Sequence, residues 1–257
     1  MNIGRVLFLL VDACVAVIFF TAILHFFLDE PLLWGIVTVI IFVIIGFSKL
    51  GDLFFRIFMG LRPLPEKFVE LQNIVDRLSN DAGMDPPSIF MKRSGKLNAY
   101  AVGSTTIIVT TKLIKETTYN ELVAVLAHEI AHIKYGHTKF LLARASIYGV
   151  MIPLLNLIIQ IGVNLPLIGI VFIVLSMFIE MFFNLLNILH ATFSRGQEYQ
   201  ADGLACELGY GANLKSFFRK LAQSETNKGG DLWDALYSTH PPTKARIERI
   251  EKNISQN

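Results

Sequence analysis

Cysteine is nearly missing from this chain, with two in 257 residues, and charge is scarce, with Asp, Glu, Lys and Arg making up 17% of it. The first scarcity excludes a small disulfide-stapled fold; Cys14 and Cys206 also fall in segments assigned below to different compartments. The second leaves a formal net charge of only +2, and no nucleic-acid partner is expected. Internal repeats and low-complexity tracts are absent too. What is abundant is apolar: 53% of residues are hydrophobic and 20 are Phe, more than an ordinary soluble domain carries.

The apolar excess is segmental. Val6 to Leu28 and Pro31 to Phe47 are almost unbroken apolar runs near the length that crosses hydrocarbon, divided only by Asp29 and Glu30. A cleavable signal peptide fits the first run poorly, because the run is too long, lacks a small-x-small cleavage site and is followed at once by the second. A helical hairpin over residues 1–49 is therefore expected. From Ala145 to Ile179 no residue is charged, and after Glu180 none is until Arg195; Gly162, Asn164 and Pro166 break the middle. This reads as a second hairpin over 145–190, with a pair of buried core helices as the alternative. Arg5, Lys49, Arg56, Arg62 and Lys67 flank the first hairpin, and Lys134, Lys139, Arg144 and Arg195 the second, which puts all four ends in the cytoplasm. Asp12 and Glu180 are deep in these spans and are expected to face the bundle or a water-filled opening.

Residues 50–144 and 191–257 then form one cytoplasmic domain in two pieces. Glu66 to Ala82 has the spacing of an amphipathic helix; β-prone runs follow at Ser88 to Met91, Asn98 to Val102 and Thr106 to Thr110, predicting a small sheet. Helices are predicted over Glu198 to Leu208, Leu214 to Gln223 and Pro242 to Lys252.

The chemistry lies in His128-Glu129-Ile130-Ala131-His132. Thr118 and Glu121 fit a capping box, and Leu122, Val125, Leu126, Ile130 and Ile133 recur at helical spacing, predicting a helix from about Tyr119 to Tyr135. Histidines four apart on a helix share one face, so both imidazoles can hold one zinc ion with Glu129 beside it as general base. A catalytic zinc normally takes a third protein ligand. Glu198 and Asp202, four apart beyond the second hairpin, offer a carboxylate ligand and a carboxylate that can hydrogen-bond a ligand imidazole from behind; a solvated acidic face is the bland alternative. His137, five past His132, falls on another face of a continuous helix and is left out of the site.

His128-Glu129-Ile130-Ala131-His132 together with Ser194-Arg195-x-x-Glu198-Tyr199-x-Ala201-Asp202 resembles the HtpX-type membrane metallopeptidases, relatives of the type I CAAX prenyl proteases. Leu97-Asn98-Ala99-Tyr100-Ala101 and Thr239-His240-Pro241-Pro242, with Arg246 and Ile247 following, are further similarities; Tyr100 in place of Phe and Thr243 in place of an apolar residue are departures. The resemblance implies a gluzincin: a mainly α membrane protein with four transmembrane helices and a thermolysin-like α+β domain, in a bacterial inner membrane with the catalytic domain facing the cytoplasm. It implies one Zn2+ held by His128, His132 and Glu198, Asp202 behind a ligand imidazole, Glu129 as base and His240 as oxyanion donor. It also implies that Asn98, Ala99 and Tyr100 form a sheet edge onto which an unfolded or membrane polypeptide adds as a strand. The function expected is endoproteolysis of misfolded or damaged membrane proteins. A CAAX-type processing protease, a metal transporter and a catalytically silent zinc-binding scaffold are the alternatives. The intact Glu129 and the oxygen ligand Glu198 weigh against a closed structural site, and the motif's place outside the lipid weighs against a transporter.

Overall fold

The structure is a computed structural model that describes residues 3–166, 168–225 and 243–254. Three of its helices are long and apolar enough to cross a membrane: α1 (Ile3–Leu24), α7 (His137–Val163) and the first part of α8, Gly169–Leu186. A fourth span arises if α2 (Pro31–Phe47) and α3 (Lys49–Phe58), bent by 83° at Ser48, count as one. Leu, Ile and Phe side chains stand exposed all along these helices, as lipid-facing residues must. A small core of Ala16, Phe20, Val39, Ile147 and Met151 joins α1, α2 and α7.

Asp12 is fully buried in α1 and ion-paired to Arg144 of α7, with the Tyr148 hydroxyl donating to its second oxygen. Glu180 lies on an exposed face of α8, so it does not face the helix bundle.

α8 (Gly169–Glu207) runs unbroken for 39 residues, so the apolar segment and the stretch bearing Glu198 and Asp202 are one helix. The boundary expected at residue 190 falls inside it. Nothing in the backbone interrupts helical propensity there, and the change from apolar to polar residues alters what the helix faces without ending it.

Outside the apolar helices, a 3-10 turn at Glu66–Phe68 leads into α4 (Val69–Asp81). Four strands, β1 (Arg62–Pro63) before that turn and β2 (Ser88–Lys92), β3 (Ala99–Val102) and β4 (Thr106–Thr110) after α4, pair in the order β1-β2-β4-β3, with β2 and β4 parallel and the other pairs antiparallel. The two-residue β1 and the six-residue α5 (Thr111–Glu116) are too short to leave a periodic signal. α6 (Tyr119–Lys134), α9 (Gly211–Glu225) and α10 (Thr243–Ile254) complete the described elements. Leu78, Ile107, Leu126, Ile130, Leu214 and Ile250 are fully buried between sheet and helices, which makes one core from both halves of the chain.

α6 is the element on which the site depends, and its start is over-determined. Glu121 N donates to Thr118 Oγ1, Thr118 N donates to a Glu121 carboxylate oxygen, and Lys220 and Ser216 of α9 donate to the same carboxylate. Burial pushes the Glu121 carboxyl up, but the Lys220, Thr118 and Ser216 hydrogen bonds outweigh it and hold it below the ordinary range. A depressed carboxyl stabilises the fold above its unfolded pKa, and that contribution is lost as pH falls through its folded pKa.

The turn between β3 and β4 is fixed from two sides. Asp52, buried on α3, accepts from Ser104 N at 3.0 Å, Ser104 Oγ at 3.3 Å and Thr105 Oγ1 at 2.6 Å, while Thr138 of α7 donates to the Gly103 carbonyl. Gly103 has φ +58°, and a Cβ there would stand 1.5 Å from Asp52 Oδ1. Gly103→Ala is expected to destabilise the protein by about 2 kcal/mol or more, from left-handed strain and displacement of Asp52 together, read as a lower unfolding midpoint in detergent.

Candidate active site

His128 and His132 lie one turn apart on α6 with their Nε2 atoms 3.0 Å from each other. Glu198 reaches both from α8, Oε2 at 3.5 Å from His128 Nε2 and Oε1 at 3.4 Å from His132 Nε2. All three residues are largely buried, and their ligand atoms lie within 4.8 Å of one another. Two ligands about 2.05 Å from a tetrahedral zinc ion stand about 3.3 Å apart, so these separations fit such an ion. The chemistry fits as well: a bare pair of imidazole lone pairs facing each other at this range repels unless a proton or a metal cation sits between them.

Each imidazole is fixed from behind. Asp202 Oδ1, 3.0 Å from His128 Nδ1, accepts a hydrogen bond from its N–H, so Nε2 faces the cluster. His132 Nδ1 is 2.9 Å from His137 Nδ1, and His137 Nε2 is 3.1 Å from Gln200 Oε1. The amide oxygen only accepts, so His137 Nε2 donates to it, His137 Nδ1 accepts from His132 Nδ1–H, and His132 Nε2 is left bare toward Glu198. His137 therefore belongs beside the site, contrary to the expectation from helix geometry. α6 stops at Lys134, and Gly136, with φ +67°, turns the chain so that His137 opens α7 pointing back at His132.

Sequence reasoning also left Arg246 without a role. Its guanidinium, on α10, makes a fork to Asp202 (Nε to Oδ2 2.9 Å, Nη2 to Oδ1 2.6 Å), places Nη1 3.1 Å from Glu198 Oε2, and lies over the Phe218 ring at 4.0 Å. The signals available were its place in the family resemblance and a basic residue within an otherwise amphipathic helix. Among protein groups alone, burial pulls the His128 imidazole down, but hydrogen bonds to Asp202 and Glu198 outweigh it and raise its pKa to about 9. Burial and the neighbouring His128 charge hold His132 well below the usual imidazole range. Burial pushes Asp202 up, and the Arg246 and His128 hydrogen bonds more than reverse it.

Glu129 stands beside the ligand face of α6, and its Oε2 accepts from the Ala101 backbone amide of β3 at 2.8 Å. β3 is an edge strand. Asn98 O accepts from Thr110 N, so Asn98 and Tyr100 turn their backbone groups to β4, whereas Ala99 and Ala101 direct theirs outward to the cleft. That cleft, about 220 Å³, is lined by Ala99, Ala101, Glu129, His132 and Glu198 and walled on its far side by Arg5, Phe8 and Leu9 of α1 and by Arg144. His240 lies outside the described residues.

Over residues 65–254 the chain matches peptidase family M48. It belongs to that family. The protein is thus a membrane metalloprotease. Similar proteins include a "Protease HtpX homolog" of Caldanaerobacter subterraneus subsp. tengcongensis, 27% identical over 224 residues (73% of each chain), and one of Neisseria meningitidis serogroup C, 30% identical over 207 residues (74% of each chain). The crystal structure of S. mikatae Ste24p shares the M48 peptidase's fold with a TM-score of 0.60 at 20% identity; the likeness covers 90% of this chain and 61% of that one. The chain therefore spans about three fifths of the length of that solved protein.

Proposed function

We propose that the protein is a zinc endopeptidase that cuts misfolded or damaged membrane proteins at the cytoplasmic face of the bacterial inner membrane. The observation that carries this reading is the meeting of His128, His132 and Glu198 beside Glu129, which itself touches the edge strand β3. His128, His132 and Glu198 would hold the ion, with Asp202 and His137 orienting the two imidazoles. When bound, zinc lowers the pKa of water and polarises a scissile carbonyl. Glu129 takes the proton of the attacking water and returns it to the leaving amine. The outward backbone groups of Ala99 and Ala101 suit an extended polypeptide pairing along Asn98, Ala99 and Tyr100, which reads main chain and so tolerates varied sequences. His240 enters as oxyanion donor on the resemblance alone.

Two helical hairpins, 1–49 and 145–190, anchor the catalytic pieces 50–144 and 191–257 in this reading, and the flanking cations set the face. Detergent-purified protein incubated with an unfolded membrane protein is expected to cleave it in a chelator-sensitive way, with zinc restoring the activity. Chelator-resistant cleavage, or none after zinc is supplied, overturns the reading. CAAX-type processing is the second reading, favoured by the likeness to the Ste24p fold; selective cleavage of a prenylated peptide, with unfolded membrane protein left intact, would establish it instead.

Zinc must displace the proton held on His128, whose pKa stands near 9 among the protein groups alone. Below that value the protonated fraction grows as pH falls, so apparent zinc affinity is expected to drop about tenfold per pH unit between pH 8 and 6. Competition with a chelating dye at several pH values measures it, and a flat profile would contradict the shift.

A further inference from the structure

Helix α3 has no counterpart in the expectations from sequence, and its surface is unlike that of the rest of the non-spanning region. Leu50, Leu53, Phe54, Ile57 and Phe58 follow i, i+3, i+4, i+7, i+8 spacing and are exposed by 57%, 45%, 61%, 68% and 88%. The opposite face is buried, with Gly51 and Asp52 at its centre. Five large apolar side chains in one stripe on a ten-residue helix are a coherent surface and not scattered exposure.

The backbone fixes how that stripe is presented. Ser48, extended at φ −93° and ψ 162°, ends α2 through its amide to the Ile45 carbonyl and starts α3 by accepting from Gly51 N at 3.3 Å. A Cβ on Gly51 would lie 2.4 Å from the Ile45 carbonyl, so the 83° bend requires glycine there. α2 carries the lipid-exposed Leu32, Leu33, Ile36, Ile40, Ile41 and Ile44. A helix turned nearly perpendicular to it where those residues end lies parallel to the bilayer plane. At about 15 Å long, α3 is too short to cross hydrocarbon. Lys49 and Arg62 are exposed at either end of the segment, where headgroups would receive them.

We propose that α3 is an interfacial helix that lies along the bilayer surface with this stripe sunk among the lipid headgroups and upper acyl chains. Its covalent continuity with a lipid-facing helix singles out lipid, in place of a second copy of the chain, as the occupant of the stripe. The consequence is positional. Asp52, on the inner face of α3, holds Ser104 and Thr105 directly after β3, and β3 holds Glu129 through Ala101. The edge strand and the carboxylate beside it are thereby set at the level of the membrane surface, where a chain leaving the bilayer first becomes extended. That last step rests on the peptidase reading, while the placement of α3 does not.

The test is a depth profile in the full chain. With Cys14→Ser and Cys206→Ser as background, nitroxide labels are attached singly at Leu53→Cys, Ile57→Cys and Phe58→Cys. The protein is reconstituted in phosphatidylethanolamine/phosphatidylglycerol vesicles, and collisions with oxygen and with an aqueous nickel chelate are measured. All three labels are expected at one shallow depth, about 5–10 Å below the phosphates. Depth that increases steadily from 53 to 58 would mean a re-entrant segment, high nickel access a solvated face, and low access to both reagents a protein-covered face; each of these overturns the proposal. The three positions are exposed and read separately, so a label that perturbs one leaves the profile defined by the others.

Discussion

Glu129→Gln is expected to keep its metal and lose peptidase turnover by about 10²–10⁴-fold, the range that a positioned general base supplies. The substitution is nearly isosteric, and its amide oxygen can still accept from Ala101 N as the carboxylate does at 2.8 Å. The three proposed ligands are untouched. What disappears is a group able to take a proton, so the loss should fall on kcat with metal content unchanged by elemental analysis. Purified variant cleaving at the wild-type rate would remove Glu129 from the chemistry. A variant that loses metal as well would show that the residue is structural.

Arg246→Ala should have the largest effect on stability, about 3–5 kcal/mol in denaturant titrations in detergent. The guanidinium is 6% exposed, makes a fork to Asp202 and contacts Glu198, two carboxylates that also touch His128. Removing it leaves two buried negative groups facing each other beside His128 and opens a void over the Phe218 ring. Arg246→Lys should recover only part, because an ammonium cannot make the planar fork. An alanine variant with wild-type denaturation would mean that water or a metal ion compensates these carboxylates fully. Zinc affinity offers a second readout, since Asp202 freed from Arg246 holds the His128 imidazole less firmly, and loss of such a supporting contact costs about 10–100-fold in affinity.

Much of this protein was legible because the relevant geometry is local. Helical periodicity placed α6, the capping box at Thr118 and Glu121 marked its start, and the i, i+4 spacing put His128 with His132 and Glu198 with Asp202 on common faces. Long uncharged runs marked the apolar helices, although they could not say that α8 continues from one such run through Glu198 and Asp202. β2, β3 and β4 could be read as strands, while the parallel pairing of β2 with β4, which leaves β3 at the edge, could not.

The sequence by itself determined which residues could ligate a cation and which segments avoid water, because both follow from covalent spacing and side-chain transfer free energy. Tertiary structure alone decided who joins them. A left-handed Gly136 brings His137 back onto His132, α10 delivers Arg246 between two carboxylates, β3 offers the Ala101 amide to Glu129, and one extended Ser48 lays α3 across the end of α2. Each of these depends on single backbone dihedrals and on packing between segments far apart in the chain, and neither leaves a periodic trace in the order of residues.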